Sequence, residues 1–528
     1  MGSAKKSGRV PRMDPYSRLL HRFYEPMILS RVLGQTRGTH TSAPQDGEGQ
    51  SRRRRRLLRN LAYLCDHDKG GDETSSVALE DDDQCNVFWV ASNTPRAGKK
   101  NVEFLKSSLA KIRRILALGE EQRGTLEVEF TRTCIKFARH RVKKEVNLLS
   151  RAIRDCQNRT GYVADSELAT WLEQFILGKA GSITDICFKA YDQRKAPEMR
   201  SLENRTSSGN QDASLDKYAS PFGAVHHWLG RLAHHVRAPK EVIEDSVELD
   251  HLFDSHQVCL VKSPPSSPRP QADSLTGLDG ILKRMLPAND LQLKEYTEAL
   301  GSLDRKFQIA KRVRDEYENK NFQPRIHAEI QILEHFYTNQ LRYVGNDSYI
   351  GCSKPACYCC HLYFRHHQAR PVEPESHQKI YLNWGVPELT NGSKDPGYIA
   401  QRDLMNKMLE TIRKDALAQI IQKAGPLKWH PDSLTGITIS TRALPANMVQ
   451  LGESSLSRQQ TNSSYDSVIS EDISAAESQS RTIEESSSPS LDSLDNDYSS
   501  SRELQDEAAD GLNSDSDFGF DSHSGVSL

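Results

Sequence analysis

The sequence predicts an α/β protein: a mixed sheet with flanking helices, preceded by a mainly helical region and followed by a disordered tail. Three observations point there. Apolar residues recur every three or four positions over long stretches of 57–260, the period of an amphipathic helix. Two segments dense in histidine and cysteine, around 327 and 357, are separated by enough chain for one helix and one strand. The last 78 residues hold 23 serines and are acidic, too polar to bury the surface that would offset chain entropy.

The chain has 528 residues, a length suited to roughly two to four domains. Its net charge of −1 hides an asymmetry. Residues 1–60 carry 14 Lys/Arg against 4 Asp/Glu, and residues 448–528 carry 3 against 17. A basic head and an acidic tail read as interaction arms. Residues 1–56 are expected to form a basic disordered arm ending in the run Arg52–Arg56. That run fits a nuclear localisation signal or a nucleic-acid patch, and equally a solvated arm. No apolar run approaches the ~18 residues of a membrane span, so no membrane partner is expected. Ten cysteines are too sparse for a disulfide scaffold, and four of them fall between Cys352 and Cys360. No secretory signal is visible, and a nuclear or cytoplasmic location is expected ahead of a mitochondrial one.

Within 57–260, Val102, Leu105, Leu109, Ile112 and Leu116 form one helical stripe, and Leu126 to Arg154 continues the pattern. His226, His227, His234 and His235 could face one another in pairs. No acid or thiol stands in register with them, so they read as solvated or capping residues. The Pro/Ser-rich stretch within 261–276 reads as a linker. A domain over 277–447 follows, with helices expected near 290–319 and 398–423, and then the tail 448–528. The helical region and the tail are the expected sites for protein partners.

The chemistry concentrates in two places. Pro324-Arg-Ile-His327-Ala-Glu329 precedes the apolar helix face Ile330, Leu333 and Tyr337. Tyr349-Ile-Gly-Cys352-Ser-Lys-Pro355-Ala-Cys357-Tyr-Cys-Cys360 has a strand-like start and a proline suited to a helix N-terminus. One imidazole and two thiolates make three of the four tetrahedral positions on zinc and leave one for water, the catalytic arrangement. A carboxylate two residues after the histidine can carry a proton. Residues i and i+2 lie about 200° apart on an ideal helix, so both address one ion only if it sits off the helix end.

His-x-Glu followed by Cys-x-x-Cys resembles the zinc deaminase signature. The chain is similar to the cytidine-deaminase-like superfamily. Within it, the chain resembles the nucleic-acid or nucleotide deaminase family numerous in fungi, through Gly351-Cys-Ser-Lys-Pro-Ala-Cys357-Tyr-Cys-Cys360 and through His377, Tyr381 and Trp384-Gly-Val-Pro387. The resemblance spans roughly 280–425. It implies a cytidine-deaminase-like mixed sheet with Zn2+ on His327, Cys357 and Cys360, and Glu329 as the catalytic proton shuttle. It also implies hydrolytic deamination of cytosine or adenine, in nucleic acid or in a nucleoside. The alternative is a catalytically inactive zinc fold serving as a nucleic-acid or protein binding module. Cys352 is an additional ligand candidate that would close the site, or a pocket-lining cysteine. Tyr349, Trp384 and Arg365 are candidate substrate-binding residues, the rings by stacking and the guanidinium by phosphate contact.

Overall fold

A computed structural model describes residues 13–42, 49–158, 166–178, 181–207, 220–287, 289–320, 322–425 and Asp432. The expected tail 448–528 lies outside them. The helices among these residues are α1 (Pro15–Leu33), α2 (Gln50–Cys65), α3 (Pro95–Leu116), α4 (Glu120–Phe137), α5 (Arg139–Gln157), α6 (Ser166–Glu173), α7 (Ile183–Asp192), α8 (Pro197–Ser207), α9 (Pro221–Glu248), α10 (Leu278–Met285), α11 (Leu293–Phe307), α12 (Ile309–Glu318), α13 (Ala328–Asn339), α14 (Tyr358–His366) and α15 (Tyr398–Ile421). Among the described residues, no helix is long and apolar enough to cross a membrane.

Among the described residues the mixed sheet has four strands, in the order β3-β2-β1-β4. A hairpin of β1 (Ser75–Asp81) and β2 (Asn86–Ser92) runs in register from Ser75 opposite Ser92 to Asp81 opposite Asn86. β3 (His256–Leu260) lies parallel to β2, and the short β4 (Gly351–Cys352) lies antiparallel to β1. Period-two alternation sorts the side chains to the two faces. Val77, Leu79, Phe88 and Val90 pack with Leu57, Leu61, Leu105 and Leu109 of α2 and α3. Ala78 and Ala91 belong to the opposite core, where their small size lets α13 lie close.

Three of the four strands therefore come from the region expected to be mainly helical. They are inseparable from the segment carrying the histidine and cysteine motifs. The expected disordered arm also differs. Residues 15–33 are a helix capped by Asp14, whose carboxylate accepts from Tyr16 N at 2.8 Å and Ser17 N at 3.3 Å. Its Phe23, Met27, Ile28 and Leu29 are fully buried in the core with α13, α14 and α15. The arginine run lies in α2, and Arg54, Arg55 and Arg56 within it are paired. Arg55 meets Asp347 at 2.8 Å, Arg54 the same carboxylate at 3.4 Å, and Arg56 meets Asp245 at 2.6 Å. Counter-charges distant in sequence let these cations pack.

The stretch 262–273 is docked rather than linking. Ser267 N donates to Val386 O at 3.0 Å, and the Arg269 guanidinium stacks 3.8 Å over Phe322. The helix expected over 290–319 is broken at Gln308, whose φ of 52° separates α11 from α12.

The helices α4 to α9 build a second core around Trp228, Leu149 and Phe175. Its polar hub is Glu145 on α5, fully buried. The carboxylate accepts from Arg231 Nη2 at 2.8 Å and shares a 2.8 Å hydrogen bond with His235 Nε2, both on α9. Arg141 Nη1 then donates to Asp66 O at 2.9 Å, tying this bundle to the end of α2. Burial pushes the Glu145 carboxyl up, but Arg231 and His235 outweigh it and hold the group well below its ordinary value. Glu145→Gln leaves Arg231 buried without its counter-charge, an expected loss of about 3–5 kcal/mol. Urea unfolding at pH 7 measures it. A carboxyl depressed in the fold stabilises above its unfolded value of ~4.3 and loses that contribution as pH falls. The gap between wild type and variant should therefore shrink below about pH 4.

Candidate metal centre

Local sequence sets both halves of the centre at helix N-termini. His327 is the N-cap of α13 with extended backbone, φ −66° and ψ 150°. Its ring thus lies off the helix end, and the 200° separation from Glu329 along an ideal helix does not apply. Cys357 is the N-cap of α14, and its Sγ accepts from Cys360 N at 3.4 Å. Cys360 sits one turn in. His327 Nδ1 lies 3.7 Å from Cys357 Sγ and 3.3 Å from Cys360 Sγ. The three side chains are buried and their donor atoms all lie within 4.8 Å of one another.

Electrostatics match a metal-binding donor set. Burial raises the Cys357 thiol, but the hydrogen bond from Cys360 and the His327 charge outweigh it and bring the group to about 6. Burial would lower the His327 imidazole, yet the Cys357 thiolate and Glu329 raise it above its ordinary value. Burial, reinforced by the Cys357 hydrogen bond, holds Cys360 well above the ordinary thiol range, so one sulfur carries the first charge. Glu329, on the first turn of α13, is buried, and its Oε2 has no hydrogen-bond partner. A buried carboxylate oxygen left unpaired beside three metal-type donors is out of place in a purely structural core.

A family model for OTT_1508-like deaminases (OTT_1508_deam) matches residues 326–388. This stretch runs from just before His327 to just past Pro387. Residues 326–388 are thus similar to a family of deaminases. No curated protein and no solved structure matches the chain.

Within this deaminase-like segment the remaining candidates fall in different places. Cys352, the extra ligand candidate, is outside the donor group. Its Sγ pairs with Ser76 Oγ and Ile350 O, each at 3.6 Å, on the sheet edge. Burial pushes that thiol up, with Glu329 adding to the shift. Tyr349 packs in the core under α2, with the Arg55 guanidinium 5.5 Å from its ring, rather than offering a stacking face. Arg365 is bound to Glu373, with Nη2 and Oε2 3.1 Å apart, so its charge is engaged within the fold. Trp384 is fully buried, and its indole donates to Cys360 Sγ at 3.2 Å. It thus faces a candidate ligand rather than a solvent-accessible base.

Sequence reasoning missed Asn93, just past β2. Its Oδ1 accepts from Ala328 N at 2.8 Å, satisfying a free N–H beside His327, while its Nδ2 donates to Gly71 O at 2.6 Å. The loop 66–74 is tied to both motifs, by Asp72 to Arg325 and by Gly70 O and Asp66 to Lys354. These partners lie more than 230 residues apart in the chain, and no local pattern marks them.

Proposed function

We propose that His327, Cys357 and Cys360 hold zinc and that the protein is a hydrolytic deaminase of a nucleobase, cytosine or adenine, in nucleic acid or in a nucleoside. The observation that carries this reading is Glu329, buried beside the donor group with an unpaired carboxylate oxygen. Mixed nitrogen and sulfur donors suit zinc, and three of them leave a position for water. Zinc when bound supplies the positive charge that brings the pKa of its water toward ~7. Glu329 takes a proton from the attacking water. It delivers that proton to the ring nitrogen, then takes the second proton, from the hydroxyl of the resulting tetrahedral adduct, and passes it to the departing amine. A C–O bond forms, the exocyclic C–N bond breaks, and ammonia leaves. Cys357, the N-cap of a helix, keeps thiolate character there, and Cys360 loses its proton as well when a metal ion binds.

Elemental analysis of the full chain should find about one zinc per chain, as a three-donor site requires. Cys357→Ser should lose most of it, with ammonia released from cytidine, adenosine, or single-stranded DNA or RNA by the wild type alone. A folded wild type that takes up zinc yet deaminates none of these would favour the binding-module reading. A folded wild type without zinc would sink both.

A further inference from the structure

Buried indole N–H groups need an acceptor. For Trp384 that acceptor is Cys360 Sγ, at 3.2 Å. A neutral thiol is a weak acceptor, whereas a thiolate makes a charge-assisted bond.

The ring is held in place by contacts from elsewhere in the core. Phe23 of α1 lies 5.6 Å away, tilted, and Tyr363 of α14 lies 6.1 Å away, edge-on. The Tyr24 hydroxyl donates to Trp384 O at 3.2 Å. The backbone at Trp384 also runs beside Arg325, two positions before His327. There Arg325 N donates to Asn383 O at 2.7 Å and Gly385 N to Arg325 O at 2.9 Å. The segment around Trp384 thus reaches both sides of the centre: the main chains of its neighbours Asn383 and Gly385 bracket Arg325, two positions before His327, and the Trp384 indole reaches Cys360.

We propose that Trp384 is a positioning residue of the metal centre, its indole N–H orienting the Cys360 thiolate toward the ion and drawing charge from its sulfur. This rests on the metal reading above. The same arrangement gives α1 a role at the centre, because Phe23 and Tyr24 fix the indole. Groups that bind a ligand from outside the metal's own shell typically change metal affinity by 10–100-fold when removed.

The test uses Co2+ as the probe on the full chain, wild type beside Trp384→Phe, which keeps the aromatic packing and deletes the donor. The expected result is about tenfold weaker Co2+ binding and a thiolate-to-cobalt charge-transfer band shifted to lower energy, because the sulfur lone pair is no longer stabilised. Phe23→Leu, which keeps the N–H but loosens the ring, should shift the band in the same direction by a smaller amount. An unchanged band and affinity in Trp384→Phe, with Co2+ bound normally by the wild type, overturns this inference and leaves the metal reading standing. A wild type that binds no Co2+ overturns the metal reading, and this one with it. If Trp384→Phe does not fold, indole-15N labelling of the wild type decides. One of the five tryptophan N–H signals should move on Co2+ loading, and five unmoved signals overturn the proposal.

Discussion

Glu329→Gln is expected to retain the metal and lose turnover. Glutamine matches the shape of glutamate but cannot accept a proton. The Glu329 Oε2 has no hydrogen-bond partner in the fold, and glutamine can keep the hydrogen bond that this side chain shares with Cys360, so the local structure has little to lose. None of the three donor side chains is altered. Positioned proton transfer contributes typically 10²–10⁴-fold, and kcat should fall by at least that range because the same group serves two transfers. Steady-state ammonia release and zinc content measured on one preparation check both halves. A variant with near-normal kcat would show that another group moves the proton, and the mechanism proposed here would fail. A variant that loses its metal would show instead that Glu329 acts on the donor set.

A fragment spanning 277–447 is expected not to fold, although it contains every motif residue. It lacks β1, β2 and β3, so α13 would have no sheet to cover, and β4 would lose its partner β1. It also lacks α1, whose Phe23, Met27, Ile28 and Leu29 are fully enclosed against α13, α14 and α15. Removing one such ring, as in Phe23→Ala, costs about 3–5 kcal/mol, a large share of the ~5–15 kcal/mol that holds a typical domain together. Removing the whole helix and three strands exceeds any such margin. Circular dichroism melting and hydrogen exchange of the fragment beside the full chain give the answer. Cooperative unfolding of the isolated fragment would contradict this account of the core.

His327, Cys357 and Cys360 were legible because each half of the centre is local. Spacing puts Cys360 one turn beyond Cys357, and Pro355 announces the helix start. The helix carrying Glu329 was legible from Ile330 and Leu333. The helix that carries the arginine run was not legible, because charge pattern alone does not reveal a partner. Asp347 and Asp245 reach it from nearly 300 and nearly 200 residues away. Trp384 misled in a related way. An aromatic near a metal motif suits either a base or a core, and only its 3.2 Å approach to Cys360 decides which.

Determined by the sequence itself, then, were the donor types, their order and the helix ends that present them. Each depends on neighbours within a turn or two, where periodicity, capping and proline stereochemistry act. Decided only by the tertiary structure were the strands at 75–92 and 256–260 beneath α13, the burial of α1, and the contacts of Asn93 and Trp384 with the centre. These are pairings between distant segments. Their free energy comes from shared burial and hydrogen bonding across the fold, and no short stretch of chain encodes which distant stretch will supply the other half.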